Sequence, residues 1–175
     1  PSSLSVVQLY NVHNEANARF DAISRTYRYK LYFQKNPFLD KRALYYPYPF
    51  NDRILQETAS LLKSYTDFDT FSKKNSQSYT NICTIFESYW EDHGNELHYI
   101  VTANRFLRGM VRALVGTQLK IAKKQLSIND FQKIIDSKDC NQADFSVTGN
   151  GLYLEKINYP DNYLHIVPQF KISQR

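Results

Sequence analysis

Apolar residues recur in the chain at two different spacings. In the stretch SRTYRYKLYFQ (24–34), aromatic and aliphatic residues occupy every second position with basic residues between them. This period of two predicts a half-buried strand with one basic face. Strands are also predicted over 4–12, for GLYLEKINY (151–159), and for ICTIFESYWED and ELHYIVTA, which a turn at His93–Asn95 joins into a hairpin.

A helical spacing appears in three other stretches. NDRILQETASLLKSY predicts a helix with Asn51 or Asp52 as the N-cap, and SINDFQKIIDS predicts one with a capping pattern at Ser127 and Asp130. A third helix is predicted from about 105 to 123, and the polar stretch 66–81 is predicted to be a loop. Together these elements predict one domain over 1–175 with an α+β fold, a mostly antiparallel sheet with helices packed on one face.

The third helix contains NRFLRGMVRALVG (104–116), which combines an apolar stripe with three arginines and two glycines. Glycine inside a helix costs about 1 kcal/mol relative to alanine. Gly109 and Gly116 therefore indicate that another group approaches the backbone closely, and the neighbouring arginines offer that group positive charge. The stripe predicted to be buried consists of Leu107, Met110, Val111, Leu114 and Ile121.

Charge and composition suit a nucleic-acid ligand. The 175 residues carry a formal net charge of +5 and include 14 Tyr and 11 Phe, so phosphates can meet cations while bases stack on rings.

Motifs for zinc, a P-loop or a serine hydrolase do not occur. Two cysteines without metal-type spacing, no membrane-length apolar run and no signal peptide predict a cytoplasmic protein. The opening PSSLSVVQLYNV predicts a piece of a longer protein.

Four stretches then resemble a known family. NARFDAISRTYRYKL, DFDTFSK, ANRFLRGMVRALVGT and GLYL, in this order and spacing, resemble the C-terminal half of the tRNA pseudouridine synthase A family over nearly the whole chain. The resemblance implies a lobe of an enzyme that isomerises uridine to pseudouridine in the tRNA anticodon stem-loop. It also implies a homodimer, an N-terminal lobe in the same protein, and no cofactor or metal.

Three site residues are implied by the resemblance. Tyr27 matches the tyrosine that stacks on the target uracil, Arg112 the arginine that pairs with the catalytic aspartate, and Leu152 the apolar wall beside them. A paired guanidinium keeps a carboxylate charged in a closed pocket. The family's aspartate lies in an R-T-D-x-G motif of the N-terminal lobe. That motif does not occur in this sequence, so the isolated chain is predicted to be inactive.

Further basic residues are predicted to contact RNA. They are Arg19, Arg25, Arg28, Lys73, Lys74, Arg105 and Arg108. The sequence departs from the family at Asn17, where many members have His, and at Tyr79, where some have Arg.

Two alternatives remain open at the level of sequence. One is a non-catalytic RNA-binding module that keeps the basic residues without the aspartate half. The other is a structural α+β domain whose basic helix contacts proteins.

Overall fold

A five-stranded sheet lies at the centre of the computed structural model, which describes residues 4–73 and 79–166. The strands are β1 (Tyr10–Asn11), β2 (Ser24–Tyr32), β3 (Leu44–Tyr45), β4 (Ile85–Asp92), β5 (Glu96–Ala103), β6 (Leu152–Asn158) and β7 (His165–Ile166), and the helices are α1 (Asp52–Leu61), α2 (Met110–Lys123) and α3 (Ile128–Asp136).

Strand β2 is the central strand of this sheet. It pairs antiparallel with β5 on one side and with β6 on the other, and β4 continues the sheet beyond β5. Strand β3 runs parallel to the end of β2, while β1 and β7 form a separate antiparallel pair. The prediction of an α+β fold with a mostly antiparallel sheet is confirmed.

The two faces of the sheet have different environments. On β2, Tyr29 and Leu31 are fully buried and join a core that includes Leu55 of α1 and Leu114 of α2. Side chains alternate along a strand, so Arg28 belongs to the opposite, uncovered face. The prediction that helices pack on one face is therefore confirmed. None of the helices within residues 4–73 and 79–166 is long and apolar enough to cross a membrane.

Helix capping follows the sequence closely. Asn51 is the N-cap of α1, with its side chain accepting from the backbone N–H of Ile54 at 3.2 Å. Ser127 and Asp130 form a reciprocal capping box at the start of α3. Both caps satisfy backbone donors that a helix leaves unpaired in its first turn.

The N-terminal strand is much shorter than predicted. Only Tyr10–Asn11 of the predicted 4–12 pairs with another strand, and the partner within the described residues is the two-residue β7. Residues 4–9 are exposed despite their β-forming side chains. A strand needs hydrogen-bonding partners along its length, which composition alone does not supply.

Helix α2 begins later than predicted. It starts at Met110, because Gly109 is its N-cap with a left-handed φ of 79°, and Arg105 and Arg108 lie in the segment before it. A residue from another part of the chain fixes this segment, because the N–H of Lys73 donates to the Arg108 carbonyl at 3.1 Å. The predicted stripe is buried throughout, from Leu107 to Ile121.

The stretch 66–81, predicted as a loop, contributes to the core. It includes a short 3₁₀ turn at Asp69–Phe71, and both Phe68 and Phe71 are fully buried. The Thr70 hydroxyl donates to the carbonyls of Ile134 and Ile135 at 3.1 and 3.0 Å. These carbonyls lie in the last turn of α3, where the helix itself supplies no donor. Lys74 lies outside the described residues.

Gly116 has the close neighbour that its position in a helix predicts. A Cβ at this residue would lie 2.3 Å from the backbone oxygen of Asp144, which no side-chain rotation can relieve. Segment 144–148 therefore packs directly on the backbone of α2. The group that approaches Gly116 is the backbone of this loop at Asp144.

We predict that Gly116→Ala lowers the free energy of unfolding. Alanine favours a helix by about 1 kcal/mol, but the clash with Asp144 should produce a net loss of about 1–3 kcal/mol. Gly149→Ala is the matched control, because a Cβ there meets nothing within 4 Å. Urea unfolding of both variants tests this, and equal stability of the two would contradict the close packing at Gly116.

Candidate active site

The three predicted site residues lie around one buried tyrosine, Tyr29. Tyr27 precedes it by two residues on β2 and shares its face of the sheet. Leu152 is the residue of β6 paired directly with Tyr29. Arg112, in the first turn of α2, is close enough for its charge to act on the Tyr29 hydroxyl. The fold thus brings two strands and one helix together at the predicted positions.

Arg112 binds the loop of residues 144–148, which we call the clamped loop. Its Nε donates to the carbonyl of Val147 at 2.7 Å, and Nη2 donates to the carbonyl of Phe145 at 3.2 Å. None of the carboxylates in the described residues forms an ion pair with Arg112. The guanidinium is half-buried and is oriented by these two carbonyls.

Other contacts fix the two ends of the clamped loop. The N–H of Asp144 donates to the Thr117 hydroxyl on α2 at 2.9 Å, and Tyr29 donates its O–H to the carbonyl of Thr148 at 2.7 Å. Beyond the loop, a Cβ on Gly151 would lie 2.5 Å from the Lys30 oxygen. The loop is therefore attached to both α2 and β2 before the chain enters β6.

Tyr29 is a hydrogen-bond donor under physiological conditions. Burial raises its pKa to about 12, and the opposing effects of Thr148 and of the Arg112 charge are smaller. The hydroxyl therefore stays protonated near neutral pH and keeps its bond to the clamped loop. This chemistry suits a structural group at the site and is unsuited to a general base.

An aromatic pair forms the adjoining part of the site. The rings of Tyr27 and Phe106 meet edge to face, with centroids 4.9 Å apart and an interplanar angle of 82°. Edge-to-face contact is a favoured arrangement of aromatic rings, so Phe106 restrains the orientation of Tyr27. No sequence pattern singled out Phe106, although it stands within the arginine-rich stretch between Arg105 and Leu107.

The N-terminus of α2 is strongly positive. A helix N-terminus carries partial positive charge, and no acidic residue occupies the first turn of α2 to complement it. Arg112 adds a full charge in that same turn. The aliphatic part of Lys73 packs beside the N-cap, with its Cγ 3.1 Å from the position that a Cβ on Gly109 would take. The arrangement suits an anion, such as a carboxylate or a phosphate.

Arg25 uses its guanidinium to connect two loops. It donates to the backbone carbonyl of Arg19, and through Nη1 to the carbonyl of Asn104 at 3.3 Å. Asn104 in turn accepts from the N–H of Arg105 at 2.8 Å. The RNA contact predicted for Arg25 stays a prediction, and its hydrogen bonds to the two carbonyls are structural.

Arg28 lies on the uncovered face of the sheet, away from Tyr27. It donates to Glu155 through Nε and Nη2 at 3.0 and 2.9 Å, and to Glu91 through Nη1 at 2.9 Å. Arg28 and Lys30 do share one face of β2, but the neighbouring strands supply carboxylates that pair with Arg28. The predicted RNA contact of Arg28 gains no support from this position.

One group within the described residues has potential metal ligands close together. Ligand atoms of Glu91, His93 and His98 lie within 4.8 Å of one another. The Arg28 guanidinium is already 2.9 Å from Glu91 and 3.2 Å from Nδ1 of His98. A metal cation beside it would be repelled, so we assign no metal to this group.

Comparison with known proteins shows the family of the chain. A family model described as tRNA pseudouridine synthase matches residues 62–160, a segment that contains α2, the clamped loop and β6. The chain belongs to the tRNA pseudouridine synthase family. Arg112 and Leu152 lie inside the matched segment, and Tyr27 precedes it.

Relatives named tRNA pseudouridine synthase A resemble the chain over most of its length. The protein of Azobacteroides pseudotrichonymphae is 39% identical over 161 residues, or 92% of this chain and 65% of that relative. That of Porphyromonas gingivalis is 40% identical over 93% of this chain and 65% of the relative. A Streptococcus agalactiae protein is 32% identical over 92% and 64%. The chain thus spans slightly less than two thirds of the length of these family members.

We predict that Arg112→Ala destabilises the chain by about 1–3 kcal/mol, because two carbonyls of the clamped loop lose their donors. Arg108→Ala is the matched control. Arg108 is exposed, and its side chain makes no described hydrogen bond, so a change within about 0.5 kcal/mol is expected. Urea unfolding of both variants measures the difference. Similar stability of the two would show that the guanidinium does not hold the loop.

Proposed function

We propose that the chain is the C-terminal lobe of an enzyme that isomerises uridine to pseudouridine in the anticodon stem-loop of tRNA. The family and the names of its relatives support pseudouridine synthesis on tRNA. The target stem-loop, an N-terminal lobe carrying the catalytic aspartate, a homodimer and a cytoplasmic location are parts of the proposal. The chain alone is expected to be inactive.

The reaction needs no net gain or loss of atoms. The bond from uracil N1 to ribose C1′ breaks, the base turns, and a bond forms between C5 and C1′. The proton leaves C5, and N1 gains one. An isomerisation of this kind requires the target base to leave the stack, so the protein must hold it in a pocket.

The observation that carries the proposal is the position of Arg112. The side chain is oriented by two carbonyls of the clamped loop at the positive end of α2. A carboxylate brought there from the other lobe would be stabilised in its charged form by the guanidinium and by the helix dipole. Arg112 thereby keeps the aspartate ionised and oriented toward the ribose or base.

Tyr27 and Leu152 supply the remaining surfaces. The Tyr27 ring, which is in edge-to-face contact with Phe106, stacks on the extruded uracil. Leu152 is half-buried against the core and forms an apolar wall, which limits the access of water. Because Leu152 pairs with Tyr29, two residues from Tyr27, the two surfaces lie as diagonal neighbours on one face.

We predict that Arg112→Ala in the whole protein reduces the rate of pseudouridine formation about 100-fold or more, because the aspartate loses its paired charge. Binding of tRNA should weaken much less. Single-turnover assays at saturating protein measure the rate, and filter binding measures the affinity. Circular dichroism confirms that the variant is folded.

Arg53→Ala is the matched control, since Arg53 is exposed on α1 and pairs with Glu57 one turn along the same helix. It should react at the normal rate. A normal rate for Arg112→Ala would contradict the role of this arginine. Binding of tRNA by the whole protein without any pseudouridine would favour the non-catalytic RNA-binding module. Failure to bind tRNA would favour the structural domain.

A further inference from the structure

Phe20 is a large apolar side chain held out into solvent beside the candidate active site. It is 75% exposed, and among the described phenylalanines only Phe38 is more exposed, at 83%. Burial of such a ring is normally favourable, so its exposure on an ordered loop needs a reason. The surroundings of Phe20 supply one.

The loop of residues 17–21, which we call the Phe20 loop, is fixed by its own side chains. The side-chain oxygen of Asn17 accepts from the N–H groups of Arg19 and Phe20 at 3.0 and 3.1 Å. Asp21 accepts from the N–H of Asn17 at 2.7 Å. Asn17 is the position where the sequence departs from the family's His, and here its carbonyl shapes the turn that presents Phe20.

Two tyrosines from the other end of the chain hold the same loop. Tyr159 donates its O–H to the carbonyl of Ala18 at 2.9 Å, and Tyr163 donates to Asp21 at 2.6 Å. The two rings stack on each other, with centroids 5.0 Å apart and an interplanar angle of 7°. The Phe20 loop is therefore fixed in place before any ligand binds.

Arg25 connects the Phe20 loop to the candidate active site. It lies two residues before Tyr27 on the same face of β2, and it bridges the carbonyls of Arg19 and Asn104. Two residues after Asn104, Phe106 packs on Tyr27. The Phe20 loop is thus joined through Arg25 to the segment that carries Phe106, on the side of Tyr27 at the Ser24 end of β2.

A cation accompanies the exposed ring. The guanidinium of Arg19 lies 5.3 Å from the centroid of the Phe20 ring. A flat apolar face next to a positive charge matches one nucleotide, whose base stacks while its phosphate meets the cation. An apolar protein surface offers no anion for Arg19, whereas RNA offers both a base for the ring and a phosphate for the guanidinium. RNA is therefore the favoured partner.

We propose that Phe20, with Arg19 beside it, is a stacking platform for an unpaired base that flanks the target uridine. This inference rests on the proposed function, because it takes the RNA to be bound at Tyr27. Stacking on an aromatic ring tolerates any base. The platform therefore holds the displaced strand without selecting its sequence.

Tryptophan fluorescence of the whole protein tests the platform. Phe20→Trp and Phe38→Trp each place a reporter on an exposed loop, Phe38 lying beyond the opposite end of β2. The native Trp90 is 4% exposed and bonded to Gln118, so RNA cannot stack on it. Addition of an anticodon stem-loop RNA should quench the Phe20→Trp signal saturably and leave the Phe38→Trp signal unchanged.

Alanine variants measure the consequence for binding. Phe20→Ala should weaken binding of the stem-loop about 5- to 100-fold, whereas Phe38→Ala should change it less than about 2-fold. If the wild-type protein forms pseudouridine but both tryptophan variants respond alike, the platform is wrong and the proposed function stands. If the wild-type protein neither binds the stem-loop nor forms pseudouridine, both are wrong.

Discussion

The attachment of the clamped loop to both α2 and β2 is the constraint on which the site depends. Gly116 allows the Asp144 carbonyl to approach the helix backbone, and Arg112 holds the loop one turn earlier on α2. From the sheet, Tyr29 binds the last residue of the loop, Thr148. The chain then enters β6 in the register that places Leu152 opposite Tyr29. Core packing and the site thus share one set of contacts.

The arginines show how similar side chains acquire different uses. Arg112 is oriented by two carbonyls at the N-terminus of α2, where its guanidinium suits an anion. Arg25 joins two loops, while Arg28 is matched by Glu91 and Glu155 on the uncovered face of the sheet. Net positive charge alone does not distinguish these cases. Each arginine's use follows from the acceptors that the fold places around it.

Patterns within a short stretch of sequence predicted strands and helices. They could not predict contacts between residues that are far apart in the sequence. Alternation identified β2, and the capping residues predicted the start of α1 at Asn51 or Asp52, of which Asn51 is the N-cap. The clamped loop joins residues 35 and 119 positions apart, in the Arg112–Val147 and Tyr29–Thr148 contacts, so no pattern within a short window could reveal it. The resemblance to a family selected the site residues, and their chemical roles stay predictions.

A double-mutant cycle between Arg112→Ala and Tyr29→Phe tests the joint attachment most directly. Both substitutions remove donors to the same loop while leaving the apolar contacts of Tyr29 largely in place. If α2 and β2 hold the loop together, the losses in unfolding free energy should be non-additive by about 0.5–3 kcal/mol. Additive losses, measured by urea unfolding of the two single variants and the double variant, would contradict the account.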